Sequence, residues 1–440
     1  MKIRYFFIRY LANLQFAILL LLSIAGLSTI GSVIEQNQSI EFYQKNYTAG
    51  LGLDRFFNST IILQFGLDHI FRTWWFISLL VLFGTSLTCC TFLQQFPILT
   101  AARKFKFYNS EKNFTALPFK TKAAPISNGS LITVLEKSNY QSFQRSKGLY
   151  SNKGMIGRIS PVIVHFSMVL ILFGTVLASL AGFVAQEFVP ETEIFHVQNL
   201  LTTNINSFVP QLAGRVNDFW IIYKDDQIVT QFYTDLSILD NQGKELKRET
   251  IYINHPLKYK GLTFYQTDWD ILGLRIQFDN SQPNQIPVLK PTKKIWLSWL
   301  PTSSNQDLGG SGYTLLNTVI RGSSPLYDKA GQLIGEGELN EGFPGYENTK
   351  LCEFINATGI QIKADPGLSV IYAGFFLLLI SILTSYTSYS QVWLSRLNNQ
   401  VVIGGLTNRA KIQFEFEILN LGLQLQKLEN IALSNLKSSI

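Results

Sequence analysis

One histidine, His165, stands inside a long apolar run, Pro161 to Phe183, near the run's basic end. A polar side chain within a bilayer is costly and rare, and is functional by default. Imidazole is also a common iron ligand, so this residue type at this place points to a cofactor that enters the membrane. The same place suits a histidine at a helix interface, hydrogen-bonded to a neighbouring backbone, and position alone leaves both readings open. His165 lies four residues into its run, ~6 Å deep at ~1.5 Å per residue. The other histidines are His69, His196 and His255. They fall on the far side of a hydrocarbon core of ~30 Å. A haem held by two histidines needs both within reach of one iron. This chain therefore supplies one ligand near His165, and the second must come from another subunit or another copy. Arg158 stands seven residues earlier, nearly two helical turns away on one face. It reaches haem propionates if the helix starts that early. Pro161 favours a break there, which would leave Arg158 as a basic anchor at the membrane face.

Other chemistries find little support. Cys89 and Cys90 are adjacent and Cys352 stands alone. Neighbouring cysteines cannot span a tetrahedral metal site, and there is no CxxC for thiol–disulfide exchange. CxxCH is absent, so the chain is not itself a c-type cytochrome. There is no P-loop, GxSxG or HExxH. Charged residues make up 15% of the chain without a clustered carboxylate pair, so no catalytic residue is assigned. Trp74-Trp75-Phe76 is read as an interfacial aromatic belt, with a haem-stacking platform as the alternative. His69 is a mouth residue or merely exposed. His255, in Asn254-His255-Pro256, is read as holding the fold by a side-chain hydrogen bond.

The elements that must position His165 are membrane spans. Four apolar runs are long enough to cross a bilayer, roughly 11–34, 74–93, 161–183 and 368–386; a crossing takes ~20 residues. Lys2, Arg4 and Arg9 at the N-terminal tip have no acidic counterpart, and segment 94–160 carries a net charge of +9. Segment 186–367 carries −6. Basic residues favour the inner side, so the termini and 94–160 are expected inside and 186–367 outside. The overall charge of +7 is then a topology signal, and no nucleic-acid partner is implied. No small-residue cleavage site follows the first run, which is read as a retained anchor.

Region 186–367 reads as β. Runs at 219–223, 228–234, 235–239 and 246–253 are aromatic or β-branched, and Lys224–Gln227 and Asp240–Gly243 interrupt them as turns. Further turns are expected at Gly309–Gly312 and Gly342–Gly345. Such strands fit an antiparallel sandwich or open barrel. Inside, Leu131–Leu135 and Tyr140–Phe143 suggest a small soluble lobe, since 94–160 is too long for a bare connector. In the tail, Ile412–Ile418 alternates apolar and charged residues, then Leu421, Leu425, Leu428, Ile431 and Leu436 follow a helical period. That helix either binds a partner or packs on the inner lobe.

Five stretches carry a resemblance. They are Gly66-Leu-Asp-His-Ile-Phe-Arg-Thr-Trp-Trp-Phe; Ser86-Leu-Thr-Cys-Cys-Thr-Phe; Lys153-Gly154, Gly157-Arg158 and Pro161-Val-Ile-Val-His165; Ile253-Asn-His-Pro256 with Gly261-Leu-Thr-Phe-Tyr-Gln266; and Gly404-Gly-Leu-Thr-Asn-Arg409 with Phe414-Glu-Phe-Glu. Together they run from the first loop to the tail. On these residues the chain resembles the ResB-type (CcsB) cytochrome c biogenesis family of the System II haem pathway, in its chloroplast and cyanobacterial branch. The resemblance implies a polytopic α-helical membrane protein of four transmembrane helices, with a large β-rich lumenal domain between helices 3 and 4. It maps the family's membrane histidine onto His165, an axial ligand to haem iron at the inner entry site. It implies transient haem, shared with a CcsA-type tryptophan-rich partner, and apocytochromes c as clients. The tryptophan-rich motif is absent here, so this chain is expected to be the companion: a non-catalytic subunit required for haem delivery and covalent attachment on the lumenal side.

The expected organisation is 1–34 tip and first span, 35–73 lumenal loop, 74–93 second span, 94–160 stromal or cytoplasmic loop, 161–183 third span, 184–367 lumenal domain, 368–386 fourth span and 387–440 inner tail. The expected location is the thylakoid membrane of a plastid or cyanobacterium. Richness in Asn, Lys, Ile and Phe suits an AT-rich genome. Two rivals remain. A membrane-anchored lumenal binding or sensor protein would need an inner output domain. A b-type electron carrier would want two intramembrane histidines per haem.

Overall fold

The computed structural model describes residues 2–47, 58–102, 104–123, 127–145, 148–203, 207–224, 229–278, 281–292, 295–301, 312–318, 323–343, 346–397 and 400–437. The expected turn residues Asp225–Gln227, Gly309–Ser311 and Pro344–Gly345, with Ile228 at the head of its run, lie outside the described residues.

Four helices are long and apolar enough to cross a membrane: Leu14–Val33, Trp74–Thr100, Met155–Ala181 and Leu368–Ser385. The first starts later than its apolar run because Asn13 caps it, its side chain accepting from the Gln15 N–H at 2.9 Å. A side-chain oxygen at this position satisfies an N–H that has no helical partner. The basic tip forms a separate helix, Lys2–Leu11. The second span continues beyond Cys90 through a π-helical turn, Thr91–Gln95, into Phe96–Ala102. The third begins at Met155, six residues before the expected boundary, and runs unbroken through Pro161. The expected break at Pro161 does not occur. Proline so near a helix start forfeits one hydrogen bond, and the rest of the ladder carries on.

Small residues let the third and fourth spans approach closely. Ser160, Ser167 and Gly174 recur every seven residues on one, and Gly367, Gly374 and Ser381 on the other. A Cβ on Gly374 would stand 3.2 Å from the Ser167 carbonyl oxygen, and one on Gly174 would stand 3.0 Å from that of Gly367. The Ser160 and Thr384 hydroxyls pair at 2.7 Å. Close packing of this kind drives helix association where lipid is as apolar as the helices. Leu20, Phe83 and Leu87, packed with Met168 and Leu172, join the first three spans.

Residues of the 94–160 segment and the tail form one lobe. Its antiparallel sheet has the order Phe119–Ala123, Gln400–Thr407, Ser390–Leu397, Gly148–Lys153, Gln141–Arg145. The 94–160 segment and the tail thus interleave within one sheet. Helices Asn128–Lys137 and Lys411–Lys437 enclose a core of Leu131, Leu135, Leu149, Val392, Ile403, Phe414, Ile418, Leu421 and Leu425. The tail helix therefore packs on the lobe, and its start covers Ile412–Ile418, where apolar and charged residues alternate. The side chains of Leu428, Ile431 and Leu436 lie outside the described residues.

Residues 177–366 form a second unit. Its strands pair antiparallel in three sheets. Leu262–Phe278 and Tyr346–Ala364 are the long central pair of one sheet. Ala213–Tyr223, Val229–Leu239 and Glu245–Tyr252 form most of another, where the sequence pattern placed strands. Val216, Leu236, Phe264 and Ile360 share one core, and Trp269, Leu274, Trp296 and Leu351 another. Buried Gln266 donates to the Thr358 hydroxyl at 2.7 Å and pairs with Thr234. The network satisfies polar groups that would otherwise be costly to bury.

Candidate functional site

His165 lies in the third turn of its helix and is half-buried. Its Nδ1 is 3.0 Å from the Thr91 hydroxyl, on the π-helical turn of the second span. Thr91 also reaches back to the Leu87 carbonyl at 2.8 Å. Nearby polar atoms hold the start of the first span. Ser86 donates to the Leu11 carbonyl at 2.7 Å and Gln94 to that of Ala12 at 2.9 Å. Of the described spans, only the third carries a histidine.

Because the helix starts at Met155, Arg158 sits on the same unbroken helix as His165. Seven residues put the two on nearly the same face, ~10 Å apart along the axis. The Arg158 guanidinium lies 5.7 Å from the centre of the Tyr389 ring, and its Nε is buried without a hydrogen-bond partner. Tyr389 follows the fourth span. Its N–H bonds to the Asn408 side chain at 2.9 Å and its hydroxyl pairs with that of Tyr150 at 3.2 Å. Burial, and then the Tyr150 hydroxyl, push the Tyr389 hydroxyl above its ordinary range, while the Arg158 charge pulls the other way.

The glycines of Lys153-Gly154-Met-Ile-Gly157-Arg158 now have a reason. A Cβ on Gly154 would overlap the Ser388 carbonyl oxygen, and one on Gly157 that of Thr387. Gly154 also has φ +76°, a left-handed conformation that glycine adopts without strain. Lys153 pairs with Glu417 of the tail helix at 3.0 Å. The motif is a joint between two spans and the lobe, and it sets Arg158 beneath Tyr389.

The donor set fits an iron porphyrin with carboxylate groups. It comprises one imidazole in a span, with Nδ1 engaged, and one guanidinium two turns away whose Nε has no partner. It would offer the iron one imidazole.

The remaining candidates stay apart. His69 Nδ1 lies 2.9 Å from Asp68 in the short helix Leu67–Arg72. Trp74 is 79% exposed, and Trp75 meets Phe76 edge-on. His255 holds its turn by stacking on Tyr252 at 4.7 Å and by paired backbone bonds with it, instead of the expected side-chain hydrogen bond. Asn254 supplies the positive φ of that turn, 66°. His196 ends a strand and lines a shallow cavity with Val209 and Leu212. The three cysteines are free thiols.

Sequence reasoning missed Thr91 and Tyr389. A hydroxyl near the end of the expected span 74–93 and a tyrosine in the tail gave no periodic signal. The seven-residue spacing of small residues could have announced the pairing of the third and fourth spans.

Comparisons with known proteins give the family. A model described as the ResB-like family matches residues 14–285 and 275–419. The chain is 47% identical over 414 residues to the cytochrome c biogenesis protein Ccs1 of Thalassiosira pseudonana, covering 93% of this chain and 98% of that one. It is 45% identical to Ccs1 of Trieres chinensis over 417 residues, covering 94% and 98%. It is 42% identical to the cytochrome c biogenesis protein CcsB of Microcystis aeruginosa over 422 residues, 94% of each chain.

Proposed function

The chain belongs to the ResB-like family, and from that premise we propose that it serves cytochrome c biogenesis as a subunit of the System II haem pathway. Haem passes from the inner side of the membrane along this subunit and is attached to apocytochromes c on the outer, lumenal side. A tryptophan-rich membrane partner holds haem for ligation, and the second axial ligand would come from another subunit or another copy of this chain. The chain itself is non-catalytic. Diatom and cyanobacterial relatives support a thylakoid setting. The net +9 of segment 94–160 supports an inner lobe and a lumenal β domain.

The observation that carries this reading is the lone intramembrane imidazole of His165 on one face with Arg158. When bound, haem supplies an iron that takes an axial imidazole. His165 offers that imidazole near the inner end of the third span. Arg158 presents a cation to a haem propionate, and Tyr389 keeps the guanidinium at the membrane face. The joint at Gly154 and Gly157 sets the height of both along the helix.

His165→Ala should abolish holocytochrome formation while the protein still accumulates in the membrane. Added imidazole, a free replacement ligand, should restore part of it. Normal holocytochrome in the variant would sink the proposal.

A further inference from the structure

We infer that Thr91 is a positioning residue that holds His165 in the tautomer with its proton on Nδ1, leaving Nε2 as the nitrogen offered to iron. The iron clause rests on the function proposed above; the tautomer does not.

The argument counts protons. Thr91 Oγ1 makes two short contacts, one of 2.8 Å with the Leu87 carbonyl oxygen and one of 3.0 Å with His165 Nδ1. A hydroxyl has one proton and two lone pairs. The Leu87 carbonyl has no proton to give, so an O···O approach of 2.8 Å requires the hydroxyl proton to lie between these oxygens. The lone pairs of Oγ1 then face the ring. Two lone pairs cannot meet at 3.0 Å without repulsion, so Nδ1 carries the hydrogen and donates it to Thr91. In neutral imidazole the other nitrogen, Nε2, must carry the lone pair. An axial ligand needs such a lone pair, and a partner on the other nitrogen commonly fixes which one is free.

The fold makes the contact specific. Thr91 is the first residue of the π-helical turn, a wide turn frequently found at functional sites. Its backbone N–H also bonds into the preceding turn at Leu87 and Thr88. The back-bond to Leu87 is ordinary for threonine inside a helix; here it also turns the lone pairs of Oγ1 towards His165.

The test uses the full chain, purified without haem and labelled with 15N at its four histidines. Spectra are recorded at pH 8, where imidazole is neutral. The His165 signals are those missing from His165→Ala. Expected is a pyrrole-like Nδ1 and a pyridine-like Nε2 in the wild type and in Thr91→Ser. Thr91→Val keeps the shape and removes the hydroxyl, and should shift His165 towards the Nε2–H form. A wild type with the proton on Nε2, or an unchanged tautomer in Thr91→Val, overturns the inference. In cells making haem, Thr91→Val should lower haem affinity by about 10- to 100-fold, the usual effect of losing a ligand's partner, and Thr91→Ser should retain it. Undiminished haem in Thr91→Val overturns the iron clause. Undiminished haem in His165→Ala overturns the function itself, whatever the spectra show.

Discussion

Gly157 lies so close to the Thr387 carbonyl that no side chain fits between them, not even a methyl. This contact ties the start of the third span to the end of the fourth. Neither neighbour can yield easily, because Thr387 is backbone and the next residues begin a lobe strand, Ser390–Leu397. The same joint seats Tyr389 against Arg158.

Gly157→Ala should therefore be costly, on the order of 1–3 kcal/mol by overpacking. Gly26, in the first span, has nothing within 4 Å of a built Cβ, so Gly26→Ala should be near neutral. Thermal unfolding of both variants in detergent measures the difference. Equal melting temperatures would show that the joint relaxes freely.

The tail helix is predicted to be part of the lobe core. Leu421 is 3% exposed and packs with Phe414, Ile418 and Leu425 against Leu131 and Leu135. Leu421→Ala should cost about 2–5 kcal/mol, and truncation after Arg409 should open residues 104–153 to protease. A truncated protein whose lobe stays resistant would make the tail a dispensable arm.

The lobe should weaken in strong alkali. Burial, then the nearby Glu417 charge, push the Tyr140 hydroxyl well above its ordinary 10.0. The folded chain therefore keeps a proton that the unfolded chain releases above pH 10. The protonated form is the one the fold favours, so its stabilising contribution is full below pH 10 and is lost as pH rises. Tyr140→Phe cannot titrate, and its stability should fall less steeply between pH 10 and 12. Identical slopes for variant and wild type would refute the assignment.

The cysteines are predicted to be dispensable. Cys89 and Cys90 are adjacent on one helix, Cys352 stands in the other unit, and all three are free. Replacing the three by Ser or Ala should cost about 1 kcal/mol or less each and leave holocytochrome largely intact. Loss of holocytochrome with normal protein levels, rescued by added reductant, would instead assign thiol chemistry to this chain.

The β domain is predicted to face outward. A protease site inserted at the exposed turn Asp240–Gly243 should be cut from the lumenal side and spared from the inner side of sealed vesicles. The opposite pattern would invert the topology.

The sequence by itself determined the four spans, the β character of the segment between the third and fourth, and the singular place of His165. Those features are local: runs of apolar side chains, alternation between turns, one imidazole among them. It also carried the family, because Gly154, Gly157, Arg158 and His165 stand together on a short stretch. Only the tertiary structure decided that the third span passes through Pro161, which places Arg158 and His165 on one rigid helix. Only it revealed that the expected lobe shares one sheet with the tail, pairing Gly148–Lys153 with Ser390–Leu397; residues more than two hundred positions apart leave no periodic trace of pairing. The helix at Ile412–Ile418 belongs here too, since Phe414 and Ile418 bury against Gly405 and that packing overrides a strand-like alternation. Thr91 belongs here most plainly. A threonine is unremarkable in any single helix, and it gains meaning only when the second and third spans bring its hydroxyl within 3.0 Å of His165 Nδ1.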